Sequence, residues 1–135
     1  MSATGSFTLI IRDENLVIED ISKYLGLKPT KSKKKGEIIS KAMNSTMKDN
    51  LWQYQVGYSA SENPNNVLRK FLTHLVPKMD YIHRVSEQHD VYFTWFLHSD
   101  YAQMGASLEP ETLKLLAELA LTLEIHILSW GGVED

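Results

Sequence analysis

Hydrophobic and polar residues alternate in four segments of the chain, the pattern of β-strands with one buried face. The segments span residues 7–11, 52–58, 91–98 and 123–130, and Gly131 and Gly132 end the last one. Residues 91–98 are apolar in both registers, which predicts a central strand. A shorter candidate, residues 38–42, lies before the polar residues 44–50. We expect it to pair with residues 52–58 as a hairpin.

Apolar residues at helical spacing separate these strands. Val17, Ile21, Tyr24 and Leu25 form one stripe, and Gly26 follows where a left-handed C-cap is expected. Asn63 and Pro64 are typical of a helix start, and the stripe that follows should end or kink near Pro77. A shorter helix is predicted up to about residue 89, and another begins at Pro110.

The predicted order of elements is therefore β-α-β-β-α-α-β-α-β. This order favours a single α+β domain over residues 1–135. We expect a ferredoxin-like split βαβ sandwich of about five strands, extended by one αβ unit, with the helices on one face of the sheet. A doubly wound parallel sheet is less favoured because the hairpin breaks strict βα alternation.

Composition narrows the classes of protein. The chain has 135 residues, a net charge of -3, 43% hydrophobic residues and no cysteine. This length suffices for a core of its own, and the lack of cysteine excludes disulfides, thiolate zinc sites and cysteine nucleophiles. No apolar run approaches the ~20 residues of a membrane span, and residues 1–6 lack the pattern of a secretory signal. We expect a cytoplasmic protein.

Charge is unevenly distributed along the chain. The first 84 residues carry 13 basic and 8 acidic side chains, whereas the remainder carries nine acidic residues and a single lysine. Most of the basic excess falls in one segment, the basic loop, which contains Lys31, Lys33, Lys34 and Lys35. The run predicts a mobile, solvated loop, and contact with a phosphate or an acidic partner is the alternative.

Several segments together resemble one bacterial protein family. They are residues 7–11, the run Ile21-Ser22-Lys23-Tyr24-Leu25-Gly26-Leu27-Lys28-Pro29-Thr30, Gly36, Leu51-Trp52, Ser99-Asp100, Ser107-Leu108-Glu109-Pro110-Glu111 and the final strand. The combination is similar to the domain-of-unknown-function family numbered 4279 over nearly the whole chain. Members often have Ser where Glu109 stands, and an aromatic residue within the basic loop. The resemblance implies no activity.

Motifs for catalysis or cofactor binding are lacking. The chain has no Gly-x-Ser-x-Gly elbow and no glycine-rich loop after a strand. His83 and Glu87 are spaced to share a helix face, and His89 and Asp90 follow, but this spacing matches no established zinc motif. We therefore assign no catalytic residue, no metal site and no cofactor.

The predicted fold leaves one face of the sheet without helices, which we call the open face. Leu9, Ile11, Ile125 and Ile127 should point to the helices. The alternate residues should lie on the open face: Thr8, Ile10, Arg12, Gln53, Gln55, Tyr92, Thr94, Phe96, His98, His126, Leu128 and Trp130. A helical crossover favours parallel alignment of the last two strands, which would bring His126 beside Phe96 if the strands are adjacent.

The binding candidates on the open face are Arg12, Tyr92, Phe96, His98, His126 and Trp130. Exposed aromatic residues favour a protein partner, a second copy of the chain or a small ligand. A loop folded over the face would instead make these residues part of the core. We therefore predict a non-catalytic binding domain of an immunity or regulatory type, and the acidic final third would suit a basic partner.

Two other functions remain open. One is a small hydrolase-like enzyme that uses His98, His126 and Asp100 at one end of the sheet. The other is a module for single-stranded nucleic acid, since aromatic side chains on a sheet can stack with bases. Arg12 is the sole cation expected on the open face, and Glu124 opposes it, so this third function is the least favoured.

Overall fold

A mixed five-stranded sheet with helices on one face forms the α+β fold. The computed structural model describes residues 4–99 and 105–129. The strands are β1 (Thr4–Asp13), β2 (Lys31–Lys33), β3 (Ile38–Ser40), β4 (Ser45–Thr46), β5 (Asn50–Tyr58), β6 (Asp90–Ser99) and β7 (Thr122–Ser129). The helices are α1 (Ile18–Leu25), α2 (Pro64–Leu75), α3 (Met79–Gln88) and α4 (Pro110–Glu118), and the 3-10 turn Val76–Lys78 joins α2 to α3.

The order of strands across the sheet is β2-β5-β1-β6-β7. β1 lies in the middle and is antiparallel to both β5 and β6. β2 is antiparallel to β5, and β7 is parallel to β6. The predicted parallel alignment of the last two strands is therefore confirmed, and the two strands are neighbours.

One face of the sheet and all four described helices enclose the core. Phe7, Leu9 and Ile11 alternate along β1 and are buried, as are Trp52 on β5 and Phe93 on β6. Against them pack apolar residues of the helices: Ile18, Ile21, Leu25, Leu68, Phe71, Leu72, Leu75, Ile82, Val85 and Leu116. None of the described helices has the length and apolar character needed to cross a bilayer.

Local chemistry fixes the helix ends. Gly26 adopts the predicted left-handed conformation, with φ of 66°, and its N–H donates to the Ser22 carbonyl at 2.9 Å. Asn63 caps α2 by accepting a hydrogen bond from the Asn65 N–H, also at 2.9 Å. Glu109, at the start of α4, makes no such side-chain cap.

Asn65 instead joins the starts of α2 and α4. Its side-chain oxygen accepts the Glu109 N–H at 2.8 Å, and its side-chain nitrogen donates to the Glu109 carboxylate at 2.5 Å. Asn65 is 2% exposed, so water cannot replace both bonds. This reciprocal contact sets how α4 lies on α2.

The predicted hairpin is wrong. Residues 38–42 do not pair with β5, because Ile38–Ser40 forms β3 and pairs with β4 in a separate two-stranded sheet. Lys31–Lys33 pairs with β5 on the side away from β1, so part of the predicted loop is an edge strand of the sheet. An edge strand needs only backbone pairing on one side, which lysine can supply as well as an apolar residue.

Ile125 and Ile127 face the helix side of the sheet, as predicted, but they are not buried there. Both lie in register with buried residues of β6, Trp95 and Leu97, and therefore point to the helix side of the sheet. They are nevertheless 52% and 61% exposed. The helices described for this chain do not cover that part of β7.

Candidate functional site

Three aromatic rings form a stack on the open face. The Phe96 ring lies 5.2 Å from the His126 ring and 5.5 Å from the His98 ring, with interplanar angles of 16° and 23°. Phe96 is 41% exposed, and half of the His126 side chain is exposed. We call Phe96, His98 and His126 the aromatic ridge.

Strand register creates this ridge. Phe96 pairs with His126 across the β6–β7 ladder, which places both side chains on the same face. Beneath them, Gly5 of β1 lies against β6, and a Cβ at this position would overlap the Phe96 carbonyl oxygen and lie 2.6 Å from the Tyr58 hydroxyl. That hydroxyl accepts a hydrogen bond from Trp95 Nε1 at 2.9 Å. Glycine at position 5 thus allows β1 to approach the backbone of β6 closely at Phe96.

A hollow of about 370 Å³ lies beside the ridge. Its lining residues are Gly5, Ser6, Gln55, Gly57 and His98. Ser6 and Gly57 face each other across β1 and β5, and the space stays open because serine has a small side chain and glycine has none. The Gln55 amide donates to the Ser6 hydroxyl at 2.9 Å, so the floor is polar while the ridge is aromatic.

Arg12 and Tyr92 lie on the open face but away from the ridge. The Tyr92 hydroxyl and the Asp49 carboxylate hold the pKa of the Arg12 guanidinium above its ordinary value, although partial burial opposes them. Arg12 also forms an ion pair with Asp49 at 3.1 Å. Thr8 and Thr94 lie between this corner and the ridge and are more than nine-tenths buried, so the exposed part of the face is smaller than predicted.

The basic loop contributes cations to the open face, which corrects the expectation that Arg12 is alone. Lys31 pairs with Gln53 and Lys33 pairs with Leu51, so both lysines share the face of the ridge. They stand at the opposite edge of the sheet from it. Lys34 and Lys35 follow β2, where their backbone N–H groups donate to Glu37 and Asn50.

Two of the predicted site residues, Trp130 and Asp100, lie outside the described residues. The hydrolase-like hypothesis therefore retains His98 and His126, which both stack on Phe96. His126 also contacts Glu124, with Nε2 and Oε1 3.4 Å apart. This arrangement can hold an aromatic or cationic group, and the Ser6 hydroxyl lines the same hollow as His98.

The other histidines weighed for metal binding have structural contacts. His83 Nε2 lies 2.8 Å from the Glu118 carbonyl oxygen, so it ties α3 to the last turn of α4. His89 Nδ1 lies 2.5 Å from the Asp13 carboxylate, and this hydrogen bond holds the pKa of Asp13 below its ordinary value. Within residues 4–99 and 105–129, no group of three metal-ligating side chains comes together.

A groove of about 650 Å³ between α1 and α3 was not foreseen from the sequence. Tyr24 and Tyr81 stack along it with ring centroids 4.7 Å apart. Burial, followed by the charge of Asp20, raises the pKa of Tyr81. Arg84 lines the same groove as Asp20, so the groove carries both positive and negative charge. Tyr24 belongs to the apolar stripe predicted for the first helix, but no sequence pattern indicated that it would meet Tyr81.

Comparison with known proteins gives one match. A family model described as "Domain of unknown function (DUF4279)" matches residues 3–130, most of the chain. No curated protein and no solved structure matches the chain.

Proposed function

We propose that this chain, which belongs to the family of domains of unknown function DUF4279, is a non-catalytic binding domain. Its open face would hold a partner protein. The family membership assigns no activity, so the proposal depends on the surface itself. An immunity-type or regulatory protein acts in this way when it occupies a functional surface of its partner.

The exposed Phe96 between two imidazoles is the observation that carries the proposal. A phenylalanine 41% exposed in a soluble protein leaves apolar area in water, and burying it against a partner is favourable. The neighbouring His98 and His126 rings hold it in place. An aromatic side chain fixed in this way loses little conformational freedom on binding, which is a property of interface hot spots.

The surroundings of the ridge indicate the chemistry of the partner. The hollow of about 370 Å³ next to His98 is large enough for a side chain of the partner. Glu124 stands beside His126 at the edge of the ridge and favours a basic group. We therefore propose a protein surface that presents an apolar side chain next to a lysine or arginine.

We also propose that the topology is ferredoxin-like with one added αβ unit. The order β6-β1-β5-β2, with β1 antiparallel to β5 and β6, supports this assignment. β7 is then the added strand, and α4 its crossover. A sheet of this type leaves one face free for a partner.

Peptide selection tests the proposed function. Random peptides displayed on phage are selected against the wild-type protein, and their affinities are measured for Phe96→Ala and for Leu113→Ala. Leu113 is 49% exposed on α4 and serves as a matched control. We expect an apolar residue next to a basic one in the selected peptides, and binding at least about ten-fold weaker for Phe96→Ala alone. Equal affinity for both variants would contradict the proposal.

Binding of single-stranded nucleic acid is a second candidate, favoured by Lys31 and Lys33 on the open face. Such a strand would contact the lysines at one edge and stack on Phe96 near the other. Fluorescein-labelled oligo-dT and oligo-U at low salt test this candidate. Binding that weakens with salt and is lost in Lys31→Gln/Lys33→Gln would support it over a protein partner.

A further inference from the structure

We propose that a second copy of this chain pairs antiparallel along the outer edge of β7, about a two-fold axis through Ile125. The inference concerns the edge of the sheet and does not depend on the function proposed for the open face. It extends the five-stranded sheet of one copy into the sheet of the other.

The two edges of the sheet differ in their protection. β2 is three residues long and carries two lysines. Its short length and its positive charge each discourage pairing with a further strand. β7 is eight residues long, and every residue from Glu124 to Leu128 is exposed. Its exposed side chains include Ile125, Ile127 and Leu128. The described part of β7 has no proline, and its pairing with β6 shows no bulge.

The identity of the partner follows from charge complementarity. In antiparallel pairing about a two-fold axis, opposed residues lie on the same face of the sheet. An axis through Ile125 sets Glu124 opposite His126 of the second copy, and His126 opposite Glu124 of the second copy. Each imidazole then lies between two carboxylates, because Glu124 already contacts His126 within one chain at 3.4 Å.

Neighbouring registers lack this match. An axis through Glu124 would set the two carboxylates directly against each other, and like charges in that position oppose pairing. An axis through His126 would set Glu124 opposite Leu128. The favoured register also joins the apolar side chains on the helix side, with Ile125 against its own equivalent and Leu123 against Ile127. This covers the isoleucines that the described helices leave exposed.

Cysteine cross-linking tests the register, because the chain has no cysteine of its own. In Ile125→Cys, the two Cα atoms at the axis would be about 5 Å apart, within the range that a disulfide spans. In Ile127→Cys, the matched control on the same face, they would be at least about 13 Å apart. We expect mild oxidation to convert the first variant, but not the second, to a covalent dimer. Melting curves under reducing conditions check that both variants are folded.

Sedimentation of the full chain completes the test. We expect the wild type to dimerise, His126→Glu to weaken the dimer at least ten-fold, and the exchange Glu124→His/His126→Glu to restore it to within about three-fold of wild type. A wild type that remains monomeric up to its solubility limit would overturn the proposal. So would cross-linking of Ile127→Cys as efficient as that of Ile125→Cys. Loss of the dimer leaves the peptide test on Phe96 unaffected, so the two proposals fail separately.

Discussion

Replacing Asn65 with alanine should destabilise the protein more than its polar character and position near a helix start suggest. The side chain makes two hydrogen bonds with Glu109, at 2.8 and 2.5 Å, and is 2% exposed. The bond to the backbone N–H is worth about 1 kcal/mol, and one to a carboxylate about 1.5–3 kcal/mol. Because Glu109 itself is exposed, water recovers part of the second bond. We therefore expect the free energy of unfolding to fall by about 2 kcal/mol, which lowers the melting temperature by roughly 6–10 °C.

Urea unfolding followed by tryptophan fluorescence measures this loss, since Trp52 and Trp95 are both buried. The adjacent Asn66 is exposed, and Asn66→Ala should change the free energy of unfolding by no more than about 0.5 kcal/mol. A double-mutant cycle with Glu109→Ala should give a coupling energy of about 1 kcal/mol or more. Equal effects of Asn65→Ala and Asn66→Ala, or no coupling with Glu109, would refute the role assigned to Asn65.

Three further changes have definite expected outcomes. Gly26→Ala should lower the free energy of unfolding in urea by about 1 kcal/mol. The backbone there is left-handed, and no atom lies within 4 Å of the new Cβ, so backbone strain is the sole cause. An unchanged midpoint contradicts this. Thr112→Val should be neutral or stabilising by up to about 1 kcal/mol in the same assay, because the buried hydroxyl has no hydrogen-bond partner among the described residues; a clear loss would reveal a partner. Changing Lys33, Lys34 and Lys35 together to Gln should move the melting temperature by less than about 2 °C. The backbone contacts of this segment remain, and exposed ion pairs contribute little to stability. Unfolding of this variant would show that the lysine side chains are structural.

The core strands could be predicted because each faces the helices on one side. Alternation in β1 and β5 reflects that single buried face, and Gly26 marks the end of α1 through a purely local preference. β2 could not be found in this way, because Lys31–Lys33 pairs through its backbone and buries no apolar side chain. The apolar pair Ile38 and Ile39 indicated the wrong segment, and both are more than half exposed.

The ridge was predictable from topology, whereas its surroundings were not. The α4 crossover favours parallel alignment of β6 and β7, and the adjacency that the structure adds brings His126 to Phe96. The hollow depends on Ser6 and Gly57 meeting across two strands distant in sequence, and small residues give no periodic signal. The exposure of Ile125 depends on how far α4 extends over the sheet, which a strand pattern cannot report.

The central position of β1 has a consequence for folding during translation. Gly5 pairs with Tyr58 on one side, and Thr4 pairs with His98 on the other, so neither ladder can form until those later segments have left the ribosome. At about 5–20 residues per second, β1 waits several seconds for its second partner. During that time its apolar residues and at least one open edge are free to contact other chains. We therefore expect chaperone dependence during synthesis to rise when elongation through residues 59–99 is slowed, and to fall once β6 has emerged.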